Sequence, residues 1–124
     1  NTETAVNKTA CELNCEVIEY TAAPVYMKET KKGAQEWILE FRVPPQSLSD
    51  FQVRLDKNLQ DINSDYEAKR YNNMTLDLLK IHQAKPKLFQ KWLKQHNKLG
   101  GQHKIPRLSN NREHLEELLA LNRN

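Results

Sequence analysis

The chain has 124 residues, of which 28% are charged and 38% hydrophobic, and this length suits a single domain with a small core. Its net charge of +3 is only mildly basic, although the cations gather in the C-terminal half, which favours a local anionic partner there. No apolar run approaches the roughly 18 residues of a membrane span, and no charged start followed by an apolar core marks a signal peptide. The sequence therefore predicts one cytoplasmic domain over residues 1–124.

The first part of the chain predicts a helix followed by an antiparallel hairpin. Apolar residues at helical spacing predict a short helix from Thr2, its cap, to about Leu13. β-Branched and aromatic residues predict a strand over Glu16–Thr21, which Pro24–Met27 extends as an edge or bulged segment. After a turn, alternation over Trp37–Val43 predicts the second strand of the hairpin.

Two capping patterns predict two helices after the hairpin. Ser49 and Gln52 form the first pattern, and apolar residues at helical spacing follow it. Ser64 and Glu67 form the second, which restarts a short helix through Asp65–Arg70.

The last elements are a strand and two helices. Leu78–Gln83 predicts a third strand, and Pro86 suits the first turn of a helix that Gly100 terminates. Asn110 is the predicted cap of a final helix whose leucines face inward. The whole predicts an α+β fold, in which four to five helices cover one side of a small antiparallel or mixed sheet of about three strands.

The cysteines and histidines show no pattern of a metal site. Cys11 and Cys15 lack the Cys-x-x-Cys spacing and the nearby histidine pair of a tetrahedral zinc site, so we expect two reduced structural thiols. His82, His96 and His114 have no second histidine or carboxylate at ligand spacing, so we expect surface or packing residues. The sequence therefore predicts no metal ligands.

The run Lys98–Asn110 is the strongest candidate for chemistry. Gly100 and Gly101 free its backbone, and Lys104 follows as a cation that can approach phosphate oxygens and stabilise charge developing in a transition state. Arg107 adds a second cation. The pattern is not a Walker P-loop, and without any comparison it equally suits a helix end followed by a solvated connector.

Asp65–Arg70 is a second candidate segment. Its acids, phenol and cations lie within two helical turns, and Tyr66 and Arg70 share one face. A capped helix with surface ion pairs is the favoured interpretation. A possible interdomain contact through Asp65, Tyr66 and Arg70 is the other structural use of such residues.

Both segments belong to longer motifs. Asn63–Arg70, followed by Lys98–Asn110, closely resembles the C-terminal region of the auxin-responsive-promoter (Gretchen Hagen) family of acyl-acid amide synthetases. Glu19–Pro24 and Glu36–Phe41 are similar to the strands of its bacterial members. The resemblance covers nearly the whole chain, and it implies the fold of the mobile C-terminal domain of adenylate-forming, luciferase-like enzymes.

The resemblance implies an ATP-dependent ligase that works in two steps. ATP, with Mg²⁺, and a small carboxylic acid form an acyl-adenylate and pyrophosphate, after which an amine, typically of an amino acid, displaces AMP. In that family a large N-terminal adenylation domain carries most of the nucleotide and acyl pocket, and the small domain closes over it. Because this chain resembles only the small domain, we expect it to bind no cofactor and to be inactive by itself.

The resemblance also implies the role of the loop. By position, Lys104 reaches the active site and stabilises the adenylate as the catalytic residue. The remaining loop residues are expected near the nucleotide or between the domains: Gly100, Gly101, Gln102, His103 and Arg107.

A small basic module that binds RNA or another polyanion, or that docks on a protein, is the competing hypothesis. Its basic side is modest, and no sheet with interleaved aromatic residues is apparent. We therefore expect partners in the large domain and the small substrates, with no nucleic acid and no membrane.

Overall fold

A mixed sheet of three strands, in the order β1-β2-β3, lies at the centre of the fold. The computed structural model describes residues 2–27, 32–71, 75–96 and 105–123. The elements are α1 (Thr2–Glu12), β1 (Glu16–Val25), β2 (Ala34–Val43), α2 (Leu48–Ile62), α3 (Ser64–Arg70), β3 (Lys80–Gln83), α4 (Leu88–Gln95) and α5 (Glu113–Arg123). The predicted α+β class, strand number and helix number are confirmed.

The hairpin of β1 and β2 is antiparallel, as predicted, and places Ala22 opposite Trp37. Its register shifts lie between Glu16 and Glu19, whereas Pro24 pairs regularly with Gln35. Of the two predicted alternatives, an edge or a bulged segment, the edge strand is confirmed for Pro24 and Val25. Proline fits at this position because β1 is an edge strand. Its missing N–H therefore removes no hydrogen bond of the sheet.

The third strand joins β2 in parallel, with Trp37 opposite Ile81. A parallel pair needs a crossover between its strands, and α2 and α3 form that crossover. β2 is consequently the central strand, and it is covered on both faces.

Helices cover both sides of the sheet, so the predicted one-sided cover is wrong. The first core, between the sheet and α1, α2 and α3, includes Trp37, Leu39, Phe51, Leu55 and Tyr66. The second core, between the sheet and α4 and α5, includes Ile38, Phe89, Trp92, Ile105 and Leu118. Consecutive residues of a strand point to opposite faces, and Trp37, Ile38 and Leu39 are all fully buried.

The predicted caps of the early helices are displaced by one or two residues. Thr2 already lies within α1. Ser47, rather than Ser49, caps α2, because its hydroxyl accepts a hydrogen bond from the Asp50 N–H at 3.2 Å. Gln52 consequently takes no part in a capping box. Its side-chain amide donates to the backbone carbonyl of Leu79 at 2.6 Å.

Asn63, rather than Ser64, caps α3. Its side-chain oxygen accepts from the N–H groups of Asp65 and Tyr66, at 3.0 and 3.1 Å. Asn63 also ends α2, since its own N–H donates to the carbonyl of Leu59 at 2.9 Å. One residue therefore closes one helix and opens the next.

A carboxylate from the sheet caps α4. The side chain of Glu40 accepts from the N–H groups of Lys87 and Phe89, at 2.9 and 3.4 Å. Pro86 precedes the helix in a turn, in which Lys87 has φ 68° and ψ 16°, as position i+2 of a type II turn requires. The helix ends at Gln95, so the predicted termination at Gly100 is wrong.

The cap of α5 is Asn111, whose side chain accepts from the Glu113 N–H at 3.0 Å. The predicted cap, Asn110, instead offers its carbonyl to the hydroxyl of Tyr26. Leu115 and Leu118 are buried, as predicted.

Candidate functional site

The described end of the candidate loop pairs with the edge of β1. The N–H of Ala22 donates to the carbonyl of Arg107 at 2.9 Å, and the N–H of Ser109 donates to the carbonyl of Ala22 at 3.1 Å. The hydroxyl of Thr21 donates to the carbonyl of Pro106 at 2.6 Å. This short segment thus extends the sheet by a parallel bridge at its outer edge.

The side chains of Ile105 and Arg107 fix the same segment from two directions. Ile105 is 4% exposed, within the second core. Arg107 donates through Nε to Glu19 at 2.9 Å and lies 3.5 Å from Glu3 of α1. Its guanidinium also covers the ring of Tyr20, 4.8 Å from the centroid. Arg107 therefore joins the segment to both β1 and α1.

The rest of the predicted loop site, including the predicted catalytic Lys104, lies outside the described residues. This applies to Gly100, Gly101, Gln102, His103 and Lys104. Their roles stay predictions. Ile105, the next residue in the chain, is buried.

The second candidate segment forms a buried network with Asp56. Tyr66 donates its hydroxyl to Asp56 Oδ1 at 2.5 Å. Arg70 donates to both carboxylate oxygens of Asp56, at 2.8 and 3.0 Å, and to the carbonyl of Leu76 at 3.1 Å. Asp65 stays exposed and pairs with Lys69. The network fixes the crossover helices to the segment that enters β3.

The charges of this network reinforce one another. Burial, followed by the hydrogen bond to Asp56, raises the pKa of Tyr66, and the hydrogen bond to Asp56 raises the pKa of Arg70. Tyr66 and Arg70 were singled out in the sequence, whereas Asp56 was missed. The available signal was a lone carboxylate next to the apolar stripe of α2 that contains Leu55 and Leu59.

A second charged network, which the sequence did not suggest, joins α5 to all three strands. Arg112 donates to the carbonyl of Pro24 at 2.9 Å and to Glu36 at 2.8 Å, and it pairs with Glu116. His82 Nε2 lies 2.6 Å from the other oxygen of Glu36. Burial raises the pKa of Glu36, but hydrogen bonds from His82 and Arg112 outweigh it, and the net pKa is lowered.

The remaining predicted packing histidines meet at one carboxylate. Trp92 donates its indole N–H to Glu117 at 3.0 Å, and His96 Nε2 lies 3.2 Å from the same oxygen. The rings of His96 and His114 lie 4.3 and 5.0 Å from that of Trp92. The expectation that these two histidines are surface or packing residues is confirmed.

A groove of about 480 Å³ opens beside the anchored segment. Its exposed apolar residues are Tyr26, Met27 and Leu108, and Lys69 adds a cation at the wall. The groove is an open surface feature and contains no cluster of catalytic groups among its described lining residues.

Within the described ranges, no three histidine, cysteine, aspartate or glutamate side chains are arranged to hold a metal ion. Cys11 is exposed and Cys15 is buried, and both are free thiols, as predicted. Burial raises the pKa of Cys15, which keeps its thiol protonated and unreactive. Among the described helices, none has the length and hydrophobicity required to cross a membrane.

The sequence from α1 through the first residue of α5 matches a known domain family. The family model for the GH3 family C-terminal domain covers residues 1–113. The chain belongs to this family. The GH3 match confirms the resemblance carried by the two long motifs, whereas the bacterial type stays a prediction. Among curated protein sequences, a search finds no match to the chain.

Solved structures share the fold of this GH3 C-terminal domain. The structure titled "AtGH3.15 acyl acid amido synthetase in complex with 2,4-DB" has a TM-score of 0.74 and 19% identity, over 96% of this chain and 23% of that one. A second, "GH3.15 acyl acid amido synthetase", has a TM-score of 0.71 and 20% identity, over 94% and 21%. The chain therefore spans less than a quarter of either solved chain.

Proposed function

We propose that this GH3 C-terminal domain is the lid of an ATP-dependent acyl-acid amide synthetase. The family match over residues 1–113 carries the proposal. The substrates are ATP with Mg²⁺, a small carboxylic acid and an amine, typically of an amino acid. The carboxylate attacks the α-phosphate and releases pyrophosphate, and the amine then attacks the acyl carbon and releases AMP.

Lys104 is the proposed catalytic residue of the adenylation step. Negative charge grows on the α-phosphate as the carboxylate attacks, and a nearby ammonium stabilises that charge. Two observations support a site at this point of the chain. Ile105 is buried and Arg107 is bonded to β1, so a rigid support adjoins Lys104. The glycines Gly100 and Gly101, with Gln102 and His103, complete the proposed loop.

A large adenylation domain is the proposed partner. The structurally similar acyl acid amido synthetases are more than four times as long as this chain. ATP and Mg²⁺ are proposed to enter as substrates bound chiefly by the large domain, and the small domain closes over them. By this proposal the isolated chain forms no amide from ATP, acid and amino acid.

Pyrophosphate exchange in the full-length protein tests the proposal. The assay uses a panel of carboxylic acids with ATP and labelled pyrophosphate, and compares the natural sequence with Lys104→Ala. We expect acid-dependent exchange that falls about 100-fold or more in the variant, the order of magnitude seen when one electrostatic donor to a transition state is removed. Lys91→Ala, which alters an exposed lysine of α4, is the matched control and should keep full activity.

The outcomes separate the family function from the role of Lys104. Exchange that survives Lys104→Ala removes this residue from adenylation. No exchange with any acid contradicts the ligase, and binding to RNA that weakens steeply with salt would then support the polyanion module. That alternative is not favoured, because the guanidinium groups of Arg70, Arg107 and Arg112 are paired within the domain.

A further inference from the structure

We propose that the groove beside the anchored segment is an interface, which docks on an apolar surface of the large adenylation domain. The inference rests on the proposed function, because that function supplies the partner, and it adds which face of this domain meets it. The residues that carry the argument all lie in the described part of the chain: Tyr26, Met27, Gly33, Leu108 and Asn110.

Three large apolar side chains in the groove are exposed to solvent. Tyr26 is 60% exposed, Met27 64% and Leu108 52%. Scattered apolar residues are normal on a protein surface, whereas a group of them at one concave surface marks a site of protein association. Tyrosine and methionine are also residue types in which interfaces are enriched. The other large apolar residues that are exposed in the described part do not line this groove: Ile18, Val43, Val53, Ile62 and Tyr71.

The groove is shaped before any partner binds. The hydroxyl of Tyr26 donates to the carbonyl of Asn110, which orients a ring that is otherwise mostly in solvent. Met27 lies close to Gly33, where an added Cβ atom would come within 3.1 Å of the carbonyl of Val25, so backbone forms the surface at that point. Side chains that are held before association lose less conformational entropy when they bind.

The edge of β1 next to the groove has no backbone group left for an added strand. Both the N–H and the carbonyl of Ala22 are bonded, to Arg107 and Ser109. Pro24 has no N–H, and its carbonyl accepts from Arg112 at 2.9 Å. Along this part of β1, these are the two residues whose backbone groups point away from β2, because that direction alternates along an antiparallel strand. The partner must therefore bind through packed side chains and not by extending the sheet.

The charge of the groove favours an apolar protein surface over a polyanion. Among the described lining residues, Lys69 is the single charged one. Its ammonium already pairs with Asp65 at 3.1 Å. A partner with many negative charges would find no set of cations in this groove to neutralise it.

The large domain is the occupant because most of the enzyme lies beyond this chain. The chain spans 23% and 21% of the two structurally similar synthetases, so more than three quarters of each of those polypeptides is outside the matching part. A domain in the same polypeptide is held at a high effective concentration. Interfaces between domains of one chain are correspondingly small, at about 600–1,500 Å², and a single apolar groove is large enough to form the centre of one.

Hydroxyl-radical footprinting of the full-length protein tests the inference without requiring activity. Tyr26 and Tyr71 are a matched pair, because both are tyrosines and they are 60% and 66% exposed in this domain. The oxidation rates are measured with and without ATP and the acid. In at least one of the two conditions we expect Tyr26 to react about 5-fold more slowly than Tyr71, since the core of an interface is shielded from solvent. Equal rates for the two tyrosines in both conditions overturn the inference.

A charge placed in the groove should undo the docking. The side chain of Leu108 is exposed, so Leu108→Asp should fold with an unchanged melting temperature. We expect it to restore the oxidation of Tyr26 and to lower kcat for pyrophosphate exchange about 10-fold, as the loss of one central interface contact does. Val53→Asp, at a position of α2 that is 58% exposed and outside the groove, is the matched control and should change neither. If Tyr26 stays protected in Leu108→Asp, it is covered from within its own domain, and the inference fails.

The remaining outcomes separate the occupants and the two proposals. Protection that disappears on dilution identifies a second copy of the protein and overturns the assignment to the large domain, because contacts within one chain do not depend on concentration. If Tyr26 is protected but no acid supports pyrophosphate exchange, the ligase proposal fails and the groove stands as an interface. Normal exchange with Tyr26 as reactive as Tyr71 has the opposite meaning: the ligase stands and the docking groove does not.

Discussion

The two faces of the sheet are built differently. In the first core, buried polar groups satisfy one another inside the domain, as Asp56, Tyr66 and Arg70 do. On the second face the buried charged residue Glu40 accepts instead from backbone N–H groups at the start of α4, and Arg112, at the edge, joins α5 to the sheet. The first face carries the network that supports the fold, and the second face is covered by the two short helices α4 and α5.

The described end of the candidate loop belongs to the second face. It follows α4, and the described chain resumes at Ile105 in the second core. The segment proposed for chemistry is therefore held in place by a few contacts at the edge of the sheet, whereas the crossover helices form the rigid part of the fold.

Asp56→Ala should destabilise the domain most. It leaves the guanidinium of Arg70 and the hydroxyl of Tyr66 buried without their acceptor, and breaking a buried pair in this way costs about 3–5 kcal/mol. Urea denaturation followed by circular dichroism measures the free energy of unfolding. Tyr66→Phe, which removes one bond and keeps the ion pair, should cost about 1 kcal/mol. Equal losses in the two variants would show that the network is not centred on Asp56.

Leu118→Ala should cost about 3 kcal/mol, because it opens a cavity at a fully buried position of the second core. We expect the added hydrogen exchange to concentrate in α4 and α5, since Leu118 belongs to the second core, which packs these two helices on the sheet. Amide exchange read by NMR checks the distribution. Equal acceleration in α2 would mean that the two faces unfold as one unit and that the contrast between them is only geometric.

Glu40→Ala should cost about 1–2 kcal/mol through the loss of the cap of α4. The carboxylate accepts from the N–H groups of Lys87 and Phe89, so its removal should fray the first turn. The measurement is the melting temperature together with amide exchange at Phe89. Glu40→Gln keeps an acceptor oxygen and should lose less; a loss as large as that of the alanine variant would show that charge, rather than hydrogen bonding, matters.

Glu36→Gln should change the free energy of unfolding least, and the size of the change should depend on pH. Its pKa is lowered from 4.5 in the folded state, so its contribution is fully present above that value and disappears as the pH falls through the lower folded value. The stability difference between the natural chain and Glu36→Gln should therefore shrink between pH 6 and about pH 3. Denaturation over a pH series checks this. Glu116→Gln is the control, because Glu116 bonds the same arginine at an exposed site.

Much of the fold was predictable, because the periodic apolar patterns are strong. The hairpin and α2 follow from alternation and from helical spacing, whereas the caps were placed one or two residues away, at Ser49 instead of Ser47. Both serines satisfy the same local rule, and only the backbone angles decide between them. The second covered face is not apparent from the sequence because alternation over Trp37–Val43 indicates one apolar face, whereas Ile38 and Glu40 on the other face are also buried.

In the two candidate segments, charged residues could be identified from the sequence, but the side chains that bind them could not. The sequence identified Arg70 and Arg107 as cations near motifs, but Asp56 and Glu19, which bind them, lie far away along the chain. A charge pattern in the sequence shows which side chains need a partner. It does not show which distant side chain becomes that partner in the folded chain. The same limit hid the network of Arg112, whose contacts come from strands and helix alike.

The parallel pairing of β3 with β2 also bears on how fast the domain folds. The hairpin of β1 and β2 joins chain neighbours, whereas β3 finds its place only after the long connection from Val43 to Lys80 has wrapped across the sheet. Contacts between distant parts of a chain slow folding, because the entropy of closing the loop is lost before the contacts form. We therefore expect the hairpin and α2 to form early. The docking of β3 completes the sheet, and we expect this step to limit the folding rate.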